Sequence, residues 1–547
     1  MMKSIKRILK VGLSLLVLFT FSCEDHLTDL NVNPNGTTPD EVNPAFLMTY
    51  VQTEMAKEYL TLNYGESGYF SPLMQHVQLD SHSKKYNDYQ WSDLSWSELY
   101  ALLRNNETAY QRAEENEDTF IMGVSLTLKS YIFGLITDLW GDAPYSSALH
   151  GDLGGDDNMY PPYDDQESIY RGVIDNLEEA SEIFETAIPR IDKEDVYYQG
   201  DVEKWQKLAN SLLLRYYMRI SSKLPELAQT GVEDIVASGI YFQDENDDAT
   251  MDFLGTKEED SWPGNLEYDR TSGTNYRRVK MCSVFVDTLE SYDDPRLEIW
   301  ASRVEIPISF DETMSSNPDT IIDGVRYIHQ SSIPEGTQVD TSSNYVGIPP
   351  SIGNEPSWYN LNPTPGQEVF NPHVSYLHER YQNPTGDLLK VRLISAAEVD
   401  FILAEAALKG WNVNDDAETW YNKGVKASLE AWELGTFYDE YITGPKVAYD
   451  GTLEQVITQK WIASWTCPVE AWMDYRRTGY PALKAGPEAE RNRLPVRFVY
   501  SSEELNLNSK NIQKALDDLE ETNFSGAQGK NSPWSKPWLL QGTGKPW

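Results

Sequence analysis

The apolar positions of this chain fall into two long stretches with helical spacing, separated by a stretch without it. Residues 24–42, with NVNPNGTTPDEVNP, read as an extended leader and a turn, and from 43 to 240 the pattern is helical. In SLTLKSYIFGLITDLW, Leu128, Tyr131, Ile132, Leu135, Ile136 and Leu139 recur three and one apart, a wide apolar stripe along one helix, which Gly141 and Pro144 stop. YDDQESIYRGVIDNLEEA places Asp164 three residues ahead of Glu167 as a capping-box start, with Ile169, Val173 and Leu177 on one face. VEKWQKLANSLLLRYYMRI predicts a third strong helix.

Between about 244 and 390 the periodicity fades. Gly, Pro, Asn, Ser and Asp recur every few positions, with short β-like runs such as SRVEIPISF. A segment this long without regular structure is uncommon inside a domain and is usually functional. Helices resume at VRLISAAEVDFILAEAALKG, where Ile394, Ala397, Phe401, Ala404 and Leu408 alternate three and four apart as a narrow helix–helix seam, with Gly410 as the C-cap. Asp415 with Glu418 starts the next helix, and Trp420, Gly424, Ala427 and Ala431 form a stripe whose small members let a partner helix approach. Such a pair resembles a tetratricopeptide unit. Further helices cover roughly 452–478, and the tail from 500 is polar with Gly and Pro.

The N-terminus has a different logic. Lys3, Lys6, Arg7 and Lys10 precede the apolar run VGLSLLVLFTF, which ends at Ser22-Cys23 and falls short of the roughly 20 residues a membrane-spanning helix needs. Residues 1–22 therefore read as a secretory signal, and the cysteine that follows is the acceptor of a lipoprotein anchor. The 547-residue chain has 45 Lys+Arg against 86 Asp+Glu; losing residues 1–22 removes four positive charges and leaves 41 against 86, a net −45. Such a polyanion is a poor partner for nucleic acid or for an anionic membrane surface. A mean hydropathy of −0.52 excludes a multi-span membrane protein. Three cysteines make no disulfide framework, and Cys282 and Cys467 are expected as buried thiols.

Several segments together resemble the SusD/RagB family, the SusD-like outer-membrane lipoproteins of Bacteroidetes. They are LNVNPNGTTP, ITDLWGDAPYSSAL, YPPYDDQESIYRGVIDNLEEA, YDDPRL, NYVGIPPSIGN, LISAAEVDFILAEAAL with WYNKGVKASL, and QKWIASWTCPVEAWMDYRRTGYP, in that order behind Cys23. Glu24-Asp25 is similar to the export signal of such lipoproteins. The resemblance implies a mostly α fold in which four tetratricopeptide-like helix pairs scaffold an irregular, loop-rich binding face. It implies capture of oligosaccharides, or in some relatives peptides, and delivery as a hinged lid to a SusC-like TonB-dependent transporter, with no catalysis and no cofactor. The domain reading that follows is a signal at 1–22, a lipidated leader at 23–42, and a single domain at 43–547, helical at 43–240 and 391–480 with the binding region at about 244–390.

Sugars present apolar C–H faces and a ring of hydroxyls, so a binder wants flat aromatics for stacking and amides or carboxylates for the hydroxyls. The irregular region supplies Trp262 with Asn265, Tyr268 with Asp269, Asn275-Tyr276, Asn344-Tyr345, and Asn354 near Trp358, Tyr359 and Asn360; KKYNDYQWSD adds Tyr86, Asn87, Tyr89 and Trp91. Any one of these rings is as readily core packing. The expectation is collective: some of Trp262, Trp358, Tyr359 and Trp91 share one exposed face.

Other constellations point elsewhere. Asp474, Arg476 and Arg477 read as buried ion pairs tying helices together. Glu398 and Glu405, seven apart on one helical face, are expected to be solvated or capping. Asp152 with Gly154-Gly155-Asp156-Asp157-Asn158 lacks the spacing of an EF-hand, and His76 with His82 lacks a zincin pattern, so no metal is expected. There is no GxSxG, Walker A or strand-linked GxGxxG motif. A glycoside hydrolase would need two carboxylates about 5–9.5 Å apart in a cleft, which a count of acids does not establish.

Overall fold

The computed structural model describes residues 42–65, 68–79, 84–91, 93–268, 274–315, 319–352, 358–363, 370–545 and 547. The first helical block comprises α1 (Pro44–Asn63), α2 (Ser97–Glu115), α3 (Thr119–Trp140), α4 (Gln166–Thr186), α5 (Val202–Ile220) and α6 (Pro225–Ser238). Each packs on its neighbour in sequence, α1 on α2, α2 on α3, α3 on α4, α4 on α5 and α5 on α6. Pro44 stands in the first turn of α1, where its missing N–H costs nothing, and Asn43 Oδ1 accepts from Ala45 N at 3.0 Å. α3 is apolar all round and long enough to cross a membrane, yet 83% of its apolar window is covered by other parts of the chain. It is therefore the central core helix, closed by Gly141 at φ +99° as the sequence leads one to expect.

The irregular region is built from short pieces. β1 (Val77–Leu79) pairs antiparallel with β3 (Val279–Met281), Val77 opposite Met281, and β2 (Ala249–Asp252) pairs antiparallel with β7 (Lys390–Ile394). β6 (Val325–Ile328) lies between β4 (Ile308–Phe310), parallel to it, and β5 (Asp319–Ile322), antiparallel to it. Among the described residues the longest helix of the region is α7 (Ser283–Ser291).

The second block is α8 (Ala396–Leu408), α9 (Ala417–Glu430), α10 (Leu453–Ala463) and α11 (Pro468–Thr478). α8 packs along α9 and α10, and α10 meets α11. The small-residue stripe is the reason for the close α8–α9 seam, since a Cβ added at Gly424 would lie 2.9 Å from the Phe401 ring. Sequential helix pairs of this kind give the tetratricopeptide-like scaffold.

Three local expectations are corrected. Ile394 is not in a helix; it ends β7 opposite Ala249, and Ser395 caps α8 by accepting from Glu398 N at 3.2 Å. Both N-caps lie one residue later than the capping-box pattern places them. Asp165 accepts from Ser168 N and Asp416 from Thr419 N, while Asp164 accepts from Tyr145 N and Ser146 N, and Asp415 pairs with Lys423. The tail from 500 is not merely polar: Tyr500, Trp534, Leu540 and Trp547 are buried, and just ahead of it Phe498 is buried and Trp140 Nε1 donates to Val499 O.

A chain of buried charges runs through the centre of the scaffold. Arg219 on α5 bridges Asp138 on α3 and Glu470 on α11. Arg215, one turn earlier, makes a two-pronged pair with Glu398 on α8, both contacts 2.8 Å, and reaches Glu470 at 3.4 Å. Lys460 on α10 pairs with Asp474 at 2.9 Å, and Arg477 joins Asp474 at 2.9 Å to Glu405 on α8. Glu398 and Glu405 are thus buried cross-links rather than solvated caps; burial alone would push the Glu405 carboxyl up, and Arg477 holds it below the usual range. Arg476 instead donates to Val496 O at 2.7 Å and fastens the C-terminal segment.

Candidate functional site

Most of the loop aromatics singled out in the sequence turn inward. Trp262 is fully buried, its ring centroid 4.8 Å from that of Tyr64 and 5.8 Å from those of Phe253 and Tyr381. Trp91 stacks on Phe498 at 4.3 Å, Tyr86 sits edge-on to Tyr69 at 4.7 Å, and Tyr89 is wholly enclosed. The C-terminal segment carrying Phe498 covers this cluster, which is why a stretch with loop composition is core. Tyr276 is buried with its hydroxyl donating to Leu377 O, and Tyr268 is half-buried, donating to Gly255 O at 3.2 Å. An exposed face shared by Trp262 and Trp91 with the others is therefore absent. Asp269, Asn354, His82 and Cys23 lie outside the described residues. His76 is buried, its Nε2 against Trp461 O, and burial lowers its pKa to about 3. Cys282 and Cys467 are unpaired thiols, Cys282 buried and Cys467 partly so.

Tyr345 is buried as well, 7% exposed, and Trp358 and Tyr359 remain. Trp358 is 63% exposed, Tyr359 is half-buried, and the loop that carries both is clamped by Asn360, whose Oδ1 accepts from Asp340 N while Nδ2 donates to Asp340 O and His373 O. Asn360 pays for that grip with a left-handed backbone, φ +53°. Asp340 in turn stands near Asp287 and Glu290 of α7. Burial first, and these acidic neighbours second, raise the carboxyl pKa of Glu290, and the same two causes raise that of Asp287.

Tyr345 lines a cleft of about 720 Å³, within the usual range of ligand-binding clefts. One wall runs from the end of α7 through the YDDPRL turn, Leu289 to Glu298; the opposite wall is the segment after α9, with Phe437, Glu440, Tyr441 and Thr443. Five carboxylates line it: Glu290, Asp293, Asp294, Glu298 and Glu440. Beneath it, Arg296 is fully buried and holds Asp294 through contacts of 2.9 and 2.6 Å. Its remaining N–H groups reach Ser428 on α9, Tyr441 and Gln459 on α10 at 2.7, 3.0 and 3.2 Å. Tyr441 OH donates to Asp294 Oδ2 at 2.5 Å. The turn is thereby fixed to the helical scaffold, and Asp293, at φ +52°, is the residue that bends it.

A second recess, about 200 Å³, is lined by Thr61, Tyr64, Gly65, Pro263, Gly264, Asn275, Tyr276 and Val279. It brings Asn275 and Tyr276 beside the end of α1. The larger cleft presents an exposed Phe437 ring, 47% accessible, with five carboxylates among its lining residues. Sequence reasoning named only Tyr345 among its walls. Glu290, Asp293, Phe437 and Glu440 were missed because the two walls are about 150 residues apart; the acid–aromatic repetition in SYDDPRLE and FYDEY is the signal that marks them.

Three comparisons bear on this arrangement. A family model, SusD-like_2, described as starch-binding associating with outer membrane, matches residues 34–501. Among solved structures, a SusD homologue from Bacteroides fragilis has a TM-score of 0.71 at 22% identity, covering 91% of this chain and 100% of its own. A protein titled chitin-binding protein has a TM-score of 0.71 at 24% identity with the same coverage. A SusD homologue from Bacteroides uniformis has a TM-score of 0.67 at 22% identity, covering 90% of this chain and 99% of its own. No curated protein matches the chain in sequence.

Proposed function

Because the chain belongs to the SusD-like family of starch-binding, outer-membrane-associated proteins, we propose that it captures oligosaccharides at the cell surface and delivers them, as a lid, to a SusC-like TonB-dependent transporter. It is a binding protein and not an enzyme. On this reading Cys23 carries the lipid anchor, residues 23–42 are the tether, and the domain from 43 onward presents the ligand. Two acyl chains or more hold a protein at a membrane without a spanning helix.

The observation that carries the glycan reading is the 720 Å³ cleft with the exposed Phe437 ring among carboxylate acceptors. A pyranose ring lays its C–H face on an aromatic ring and gives its hydroxyl protons to carboxylates, which is what these walls offer. One open face binds weakly, and millimolar to micromolar affinity corresponds to about 4–8 kcal/mol. Closure against a transporter would bury the second face of the sugar and strengthen the hold, and transport would release it.

A second reading, capture of peptides by the same lid mechanism, draws on the acids of the cleft, which suit lysine and arginine side chains equally well. Titrating the mature chain in detergent with neutral oligosaccharides, amino-sugar oligosaccharides and peptide mixtures separates the two. Saturable glycan binding that Phe437→Ala weakens supports the first; binding of peptides alone moves the protein to the second.

A further inference from the structure

Residues 358–363, which carry the exposed Trp358, are held by side chains reaching in from elsewhere in the irregular region. Asn360 grips Asp340 and His373 O, Asn371 Nδ2 donates to Tyr359 O at 2.8 Å, and Arg326 Nη1 on β6 donates to Leu361 O at 2.5 Å. Tyr359 packs against a small core of Val304, Val346, Ile348 and Val374, separate from the main one. A segment that rests on so few apolar contacts can open while the helical blocks stay closed.

One member of this web has its protonation state dictated by its partners. His373 is buried, with Nδ1 2.6 Å from Ile306 O and Nε2 2.9 Å from Arg326 Nη1. A carbonyl oxygen only accepts, so Nδ1 carries the hydrogen; a guanidinium only donates, so Nε2 is bare. The imidazole is therefore neutral. Arg326 Nε and Nη2 are taken by Asp319 on β5 at 2.7 and 2.6 Å, so the single nitrogen Nη1 serves both His373 Nε2 and Leu361 O. A proton on Nε2 would set N–H against N–H and cation against cation.

We propose that His373 is an acid-operated latch on the Trp358 segment. A proton taken from solvent at Nε2 displaces Arg326 Nη1, the bond to Leu361 O goes with it, and residues 358–363 loosen. The latch does not depend on what the protein binds. Burial chiefly lowers the pKa of His373 from its ordinary 6.5, and Arg326 lowers it further; the bond to Ile306 O and the charge of Asp319 act the other way. Asp319 is itself held below the usual carboxylate range by its bonds to Arg326, so it titrates at lower pH than the histidine. Glu305, next to Ile306 in the chain, is exposed, and Asp340 is reached through Asn360. With the folded pKa below the unfolded one, the latch holds in full above about pH 6.5 and is lost as pH falls through the folded value.

The test is hydrogen–deuterium exchange of the mature chain in detergent from about pH 7.5 to about pH 4.5, corrected for intrinsic exchange, with a longer exchange reading the His373 titration at its ring Cε1–H. Protection of residues 358–363 is expected to fall at least about tenfold on acidification, with its midpoint where His373 takes up its proton, while α3 and α8 keep theirs. In His373→Gln, whose Oε1 still accepts from Arg326 but takes up no proton, protection of the segment should stay level across the range. Unchanged protection in the wild type, an equal fall in His373→Gln, or a His373 pKa at or above 6.5 overturns the proposal. Should the variant fail to fold, the wild type alone decides: midpoints of segment release and His373 titration more than about one pH unit apart overturn it, and coincident midpoints support it.

Discussion

Arg215 and Glu398 lie 183 residues apart and meet through two parallel N–H···O contacts of 2.8 Å, both side chains buried. The pair joins α5 of the first helical block to α8 of the second, across the whole irregular region. A paired buried charge is costly to orphan. Arg215→Met should lower unfolding free energy by about 3–5 kcal/mol, read by urea denaturation, because Glu398 loses its closest cation and Glu470 loses one of its two arginines. A loss under about 1 kcal/mol would mean that Lys460 and Arg219 take up the released carboxylates.

The two tryptophans that sequence reasoning grouped together should separate under mutation. Trp262→Ala removes a fully buried indole and is expected to cost about 3–5 kcal/mol of stability. Trp358→Ala removes a ring that is 63% exposed and should leave stability within about 0.5 kcal/mol. Thermal melts of the two variants side by side decide this.

The α8–α9 seam is tight at Gly424, where an added Cβ would press on Phe401. Gly424→Val should destabilise by about 1–3 kcal/mol through overpacking, and Phe401→Leu in the same chain should recover part of the loss. No recovery in the double variant would place the strain elsewhere.

Asp248 is buried and accepts from Ala396 N at 2.7 Å at the start of α8. Burial raises its pKa to about 7; Ala396 N–H and Arg392 pull it down, and Glu245 and Asp247 push it further up. The folded state therefore holds a proton that the unfolded chain releases near pH 4. The stability this gives is present below about pH 4 and is lost as pH rises towards 7. Asp248→Asn keeps the acceptor and removes the titration. The gap between wild type and variant should swing by up to about 3 kcal/mol in favour of the variant from pH 4.5 to 7.5, followed by denaturation at fixed salt. A flat difference would show that Asp248 stays ionised throughout.

Cys23→Ala should abolish retention in the membrane fraction while ligand titration curves stay unchanged. A Cys23→Ala protein still recovered with membranes would sink the lipoprotein reading.

The helical blocks were legible because a 3.6-residue apolar period survives whatever packs on it, and α3, α4, α5, α8 and α9 all show it. Their edges were less so. Ile394 carries the spacing of the helix that follows, but KVRLI alternates as a strand and β2 is there to pair with it. At the caps, two adjacent aspartates serve two purposes, and only the fold shows that Asp164 is claimed by the Tyr145–Ser146 backbone and Asp165 by the helix. The site was least legible. Local composition marks Trp91 and Trp262 as loop residues, but whether a loop lies on the core or away from it depends on segments far off in the chain, here Phe498 over Trp91 and Tyr381 against Trp262. The two walls of the cleft are likewise far apart in sequence, Glu290 on one and Phe437 on the other.

The buried Arg296 has a consequence for how such a protein can change over generations. Its bonds to Ser428, Tyr441 and Gln459 tie the floor of the cleft to helices whose packing maintains the whole chain, while Phe437, Asp293 and Glu440 stand outside that web. Drift at the floor is punished as misfolding, whereas drift at the rim, on the proposed reading of this cleft, alters only what is bound. On that reading a lineage can trade one ligand for another by a few surface replacements, with the rest of the architecture inherited unaltered.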